Sequence, residues 1–176
     1  MPIVVKVGGS LFDHPGLFPA LRQWLGEQPQ RALLVPGGGP AADVVRQYHR
    51  THHLKETDSH WLAIRMMDIN GALLRGQLGD AADVVEAFEF CRSDEGNQQS
   101  LEHTWRVTSD AIAARIAEHR GAGELVLLKS IDLPERISWQ QAAEAGLVDH
   151  AFPTMITRGG IPVRWVNFRT TLARRG

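Results

Sequence analysis

Residues 4–13 read VVKVGGSLFD: a β-branched run carrying one lysine, then two glycines and a serine. The run predicts a buried strand over residues 3–7 that ends in a charged side chain and the most flexible backbone available. A second stretch repeats the theme. Residues 32–35 form an apolar run stopped by Pro36 and the triplet Gly37, Gly38 and Gly39. Ala42, Val45 and His49 then recur along one face of a helix over residues 41–49. A third apolar run over residues 125–128 ends in Lys129, followed by Ser130, Ile131 and Asp132. Strands that end in glycine loops and lead into helices place those loops at the carboxyl edge of a sheet, where α/β proteins bind their ligands.

The rest of the chain fits this alternation. Leu17, Leu21 and Leu25 predict a short helix over residues 17–25. Residues 56–74 (ETDSHWLAIRMMDINGALL) predict a long helix, apolar at Trp61, Ile64, Met67 and Leu74 and close to apolar all round, hence covered on two sides. That composition suits a helix packed on its twin in a homodimer. Residues 84–91 (VVEAFEFC) alternate loosely and predict a strand, with a polar surface loop over 92–100. Residues 108–117 predict a helix capped at Thr108 or Ser109. A helix over 139–145, a turn and a last strand over 161–166 complete the reading. Apolar strands alternating with helices imply an α/β fold, a three-layer αβα sandwich with a mainly parallel central sheet. At 176 residues the whole chain, 1–176, is read as one domain.

Composition narrows the function. A net charge of -1 gives no basic excess, so nucleic acid is not expected as a partner. No apolar run reaches the roughly 20 residues of a membrane span. The single cysteine, Cys91, and an opening without a charged leader and apolar core point to a cytoplasmic location. The only lysines are Lys6, Lys55 and Lys129, and two of them end strands beside loops. Successive glycine N–H groups with a helix beginning behind them favour an anion. Tight strand-to-helix turns alone would use the same glycines. Neither loop is a Walker A motif, and the protein-kinase signatures are missing. His49, His52, His53 and His60 fall within twelve residues, but without the glutamate of H-E-x-x-H or a nearby cysteine, so no metal site is expected.

Together, KVGGS (6–10), PGGGPA (36–41) and VTSDAIAARIA (107–117) resemble the amino acid kinase superfamily: the carbamate, acetylglutamate, uridylate and isopentenyl phosphate kinases. The likeness covers residues 3–132, with a weaker match to the end. Residues 59–74 and 105–132 are similar to a small subgroup around the aminomethylfuran phosphate kinase of methanofuran biosynthesis.

The resemblance implies a carbamate kinase-like fold and an ATP-dependent transfer of phosphate, with Mg2+, to a small phosphate or carboxylate acceptor. It implies that Lys6 neutralises the transferred group and that Asp110 holds the catalytic lysine, Lys129. Gly8, Gly9, Ser10, Ser109 and Asp132 would serve the nucleotide, and Gly37, Gly38, Gly39, His60 and Arg65 the acceptor. On the residues alone, Asp110 also reads, as the lesser alternative, as a first-turn acid favoured by the helix dipole. Lys129 reads equally as a strand-end lysine reaching solvent.

The family's second nucleotide lysine has no counterpart in residues 133–160, which contain none. The C-terminal nucleotide lobe is therefore expected to be shortened, with Lys129 or Arg158 supplying the charge. The alternative is a silent member that binds a nucleotide or anion as a regulatory or storage subunit.

Overall fold

The computed structural model describes residues 1–173. Five strands form one sheet: β1 (Ile3–Val7), β2 (Ala32–Pro36), β3 (Asp83–Val84), β4 (Glu124–Lys129) and β5 (Val163–Asn167). Every pairing is parallel and the spatial order is β3-β2-β1-β4-β5. The chain builds outward from β1 in one direction, then returns to its other side with β4. The order therefore reverses between β1 and β4, the place where an open parallel sheet leaves a crevice at its carboxyl edge.

The helices are α1 (Leu17–Gly26), α2 (Gly39–His52), α3 (Glu56–Leu78), α4 (Ala87–Asp94), α5 (Ser109–His119), α6 (Trp139–Glu144), α7 (Phe152–Gly159) and α8 (Phe168–Ala173). Strand side chains alternate between faces, and the two faces carry separate cores. Val5, Val7, Leu34, Val126 and Leu128 pack with α1, α8 and the end of α3. Val4, Val35, Leu125 and Leu127 pack with α5, α6, α7 and the middle of α3. The expected αβα sandwich is thus present, and among the described residues no helix is long and apolar enough to cross a membrane.

Several expectations are corrected. Residues 84–91 are mostly helix: β3 ends at Val84 and α4 begins at Ala87. The cause is distant, because Asp68 on α3 accepts hydrogen bonds from the N–H groups of Ala87 (2.7 Å) and Phe88 (3.2 Å) and so caps α4. Residues 92–94 belong to α4 rather than to a loop. Asp94 is buried against Arg115, with two hydrogen bonds of 2.7 Å. Helices α7 and α8 were not expected.

Helix α3 is also less uniform than its composition implies. Ile64, Met67, Leu74 and Leu78 are buried, while Leu62, Ile69 and Leu73 are exposed by 40, 55 and 43%. Trp61 faces inward, edge-on to Phe88 and His103.

Candidate active site

The alternation that sorts the sheet's apolar residues also places its lysines. Lys6 stands two residues after Val4 and Lys129 two after Leu127, so both continue rows that face α5. At the carboxyl edge they meet Asp110 in the first turn of α5. Lys6 Nζ lies 2.8 Å from Asp110 Oδ1, and Lys129 Nζ donates to Oδ2 at 2.8 Å and to the Leu147 carbonyl at 2.7 Å. Lys6 and Asp110 are each only 4% exposed. Lys129, whose side chain is 13% exposed and whose ammonium is bound within the protein, is therefore no solvated strand-end lysine, and Asp110 does more than complement a helix dipole.

Burial pushes the Asp110 carboxyl up, but the charges of Lys6 and Lys129 outweigh it and hold the group at about 2. Burial and the nearby charge of Lys6 lower Lys129 to about 8, against the pull of Asp110. The indole ring of Trp165 lies 5.3 Å from the Lys129 ammonium.

A residue not singled out in the sequence fixes the helix that carries Asp110. The cap residue Thr108 makes no capping bond of its own. Asp149 does this from 41 positions away, accepting from the Thr108 N–H (3.0 Å) and hydroxyl (2.9 Å), from the Ala111 N–H (2.9 Å) and, at the start of α7, from the Phe152 N–H (3.0 Å). Burial and the proximity of Asp110 raise the Asp149 carboxyl above its ordinary value, while these hydrogen bonds oppose that. The local signal was the Asp-x-x-Phe-Pro run over residues 149–153, whose Pro153 marks a helix start.

The two glycine loops touch each other through their backbones. A Cβ on Gly9 would lie 2.3 Å from the Gly39 nitrogen, and one on Gly39, where φ is +51°, would lie 2.3 Å from the Gly9 oxygen. No side chain fits there. Two of the expected cradle N–H groups are already used, since Gly8 donates to Leu128 (2.8 Å) and Gly37 to Val7 (2.8 Å), extending the sheet by one residue. Gly9 and Ser10 open a 3₁₀ turn and Gly39 opens α2, where N–H groups have no partner within the element. Asn70, buried on α3, donates to the carbonyls of Gly37 (2.7 Å) and Gly38 (2.9 Å) and holds the second loop against the first. The Ser10 hydroxyl reaches Ser130 at 2.9 Å, bringing the first loop beside the end of β4.

Beside the loops lies a cavity of about 90 Å³ with Gly9, Gly38, Gly39, His60, Ser109 and Trp105 in its walls. Ala42, Ile64, Met67 and Ile112 make the remainder largely apolar, and Arg46 stands at its edge with its guanidinium 5.4 Å from the Trp105 ring. Ser109 is thus on the same cavity as the glycines expected to hold the acceptor. Arg65 is not: it is exposed, with its guanidinium 3.4 Å over the Phe88 ring. Asp132 is exposed on the loop after β4.

Arg158 is bound to Glu118 at 3.0 and 2.6 Å, eight residues and so about 12 Å along α5 from Asp110. It is in no position to replace a lysine near Lys6. His49 bonds the Ser59 hydroxyl (2.8 Å), while His53 ends α2 in a left-handed conformation.

No protein-family model matches the chain. It is 28% identical over 143 residues to the (5-(aminomethyl)furan-3-yl)methyl phosphate kinase of Methanocaldococcus jannaschii, a match covering 73% of this chain and 66% of that protein. It is 31% identical over 140 residues to a uridylate kinase of Methanospirillum hungatei, covering 74% and 59%. The chain spans just under two thirds of the length of the curated relatives it matches. Among solved structures it resembles the uridylate kinase from Archaeoglobus fulgidus (TM-score 0.67, 20% identity, covering 100% of this chain and 96% of that one). It also resembles the UMP kinase from Ureaplasma parvum (TM-score 0.66, 13% identity, covering 98% and 92%). These likenesses establish a shared fold.

Proposed function

We propose that the chain is a member of the amino acid kinase superfamily and that it transfers the γ-phosphoryl group of ATP to a small phosphate monoester. The observation that carries this reading is the buried Lys6–Asp110–Lys129 cluster at the point where the strand order reverses. Phosphoryl transfer asks a protein mainly for positioning and for positive charge where negative charge develops. Asp110 holds two ammonium groups at the adjacent ends of β1 and β4 and keeps their mutual repulsion in check. Being fixed by α5, whose start is fixed by Asp149, the pair needs no reorganisation during the reaction.

ATP would supply the phosphoryl group, with Mg2+ carried on its phosphates. Gly9 and Ser10, next to the lysines, would face those phosphates. Gly38, Gly39, His60 and Ser109 would hold the acceptor in the adjoining cavity. The candidate acceptors are aminomethylfuran phosphate, the compound named for one similar kinase, and UMP, named for others. The exposed Leu62, Ile69 and Leu73 of α3 suit a homodimer, and a cytoplasmic location goes with the use of ATP.

The test is ADP release with aminomethylfuran phosphate, UMP and isopentenyl phosphate as acceptors. Removal of Lys129 in Lys129→Ala should cost on the order of 10² to 10³ in kcat, whereas Arg158→Ala should keep most activity. Tight ATP binding without stimulation by any acceptor would overturn the proposal in favour of a silent nucleotide-binding protein.

A further inference from the structure

Helix α2 leads away from the glycine loop along two adjoining cavities. Gly39, Ala42 and Arg46 stand in the wall of the acceptor cavity, and Arg46, His49 and Arg50 in the wall of a second one of about 220 Å³. At 3.6 residues per turn these five positions fall within about 100° of the helix surface, so one face of α2 lines both spaces. Arg46 and Trp105 belong to both walls, and the guanidinium lies 5.4 Å from the centre of the Trp105 ring. This pair is the partition between them.

Trp105 is held where it stands. Its backbone N–H donates to Glu56 at 2.9 Å, and its ring meets the His49 ring edge-on at 5.9 Å. His49 is itself fixed at 2.8 Å from the Ser59 hydroxyl.

The charge in these walls has one sign. Neither cavity has an aspartate or glutamate in its wall, and the permanently charged residues there are Arg46 and Arg50. Arg46 uses one nitrogen on Asp43 at 2.6 Å, a residue outside both walls. Arg50 is exposed and makes no hydrogen bond or ion pair among the described residues. A guanidinium only donates, so the N–H groups left over call for an acceptor. The helix dipole would account for a cation in the last turn of α2 but not for Arg46 at mid-helix.

At 1.5 Å per residue Arg46 stands about 10 Å and Arg50 about 16 Å along the axis from Gly39. Between the glycine loop and Arg46 the wall is apolar, with Ala42, Ile64 and Met67. Resting on the kinase reading above, we propose that Arg46 and Arg50, against Trp105, form a second anion subsite. It binds a carboxylate or phosphate group at the end of the acceptor remote from the reacting phosphate, and so selects acceptors with an anionic tail over those with a neutral or cationic one.

The test uses three phosphate monoesters on a six-carbon chain, roughly the length from Gly39 to Arg46: hexyl phosphate, 6-aminohexyl phosphate and 6-(phosphonooxy)hexanoate. In calorimetry on the full chain, wild type should bind the carboxylate compound about 5- to 10-fold more tightly than hexyl phosphate, between the worth of an exposed ion pair and that of a charged hydrogen bond. The ammonium compound should bind most weakly, and added salt should narrow the differences. Joint replacement by Arg46→Gln and Arg50→Gln should bring the three within about twofold. Joint Arg46→Lys and Arg50→Lys, which keeps the charge and loses the planar fork, should retain part of the preference. Equal binding of the three by wild type, tighter binding of the ammonium compound, or a preference that survives the double glutamine change would overturn the subsite.

Inorganic phosphate separates a tethered group from a free anion. Binding of phosphate that is lost in the double glutamine variant, with no gain from the carboxylate tail, would mean a separate anion site and would overturn the proposal. ADP release with the same three compounds keeps the two readings apart. Carboxylate-selective binding without phosphoryl transfer would refute the kinase and uphold the subsite, whereas transfer to all three with equal kcat/KM would refute the subsite and uphold the kinase.

Discussion

Replacing Asp110 with asparagine keeps the shape of the side chain and removes the one negative charge between Lys6 and Lys129. The contribution of that charge can be worked from its titration. The carboxyl is held at about 2 in the folded protein against an ordinary 3.8, a preference for the ionised form of about 2 kcal/mol. Because the folded value is depressed, this stability is fully present above about pH 4 and is lost as pH falls through about 2. Lys129 works in the other direction. Its value falls from 10.5 to about 8, so between those pH values the unfolded chain holds a proton that the folded chain has released. Stability from this group therefore rises with pH through that window, by about 3 kcal/mol in all.

With asparagine at 110, two buried ammonium groups face each other without a counter-charge. Breaking a buried pair in this way generally costs about 3–5 kcal/mol. Equilibrium urea unfolding followed by tryptophan fluorescence should show a loss of that size near pH 7 and a smaller one near pH 9.5, where Lys129 is largely neutral. A loss below about 1 kcal/mol near neutrality, or one that grows with pH, would refute the argument that Asp110 holds the cluster together.

Two further outcomes follow from other parts of the fold. Gly39→Ala should cost at least about 3 kcal/mol or prevent folding, because φ is +51° and the new Cβ would meet the Gly9 oxygen at 2.3 Å. Gly76→Ala, in open space within α3, should instead stabilise by roughly 0.4–1 kcal/mol, and similar urea midpoints for the two variants would contradict this account of the loops. Ile69→Glu should convert a dimer to a monomer in sedimentation velocity at micromolar concentration, since Ile69 is the most exposed residue of the α3 stripe. A wild-type monomer there would dispose of the homodimer.

Features that depend on neighbours in sequence are legible in the chain itself. Two apolar runs ending in glycines, a third ending in lysine and a helix opening with Ser109 and Asp110 are local patterns, and they locate the sheet, its carboxyl edge and the three charged residues of the cluster. Local patterns also mislead where a distant side chain decides the outcome. Residues 84–91 alternate like a strand, yet Asp68 caps them into α4.

The same distance separates what was expected of the site from what it became. Sequence could name Lys6, Asp110 and Lys129, but only the strand order put the ends of β1 and β4 side by side, and only Asp149 set the start of α5 between them. It could name Arg158 as a substitute charge, but Glu118 holds that guanidinium far along α5. It could place His60 near an acceptor, but which ring nitrogen carries the hydrogen follows from the Thr104 carbonyl, 44 residues away. Backbone propensity and periodicity are written in adjacent residues, whereas the partner of a buried polar group is chosen by packing, and packing is settled only when the whole chain has folded.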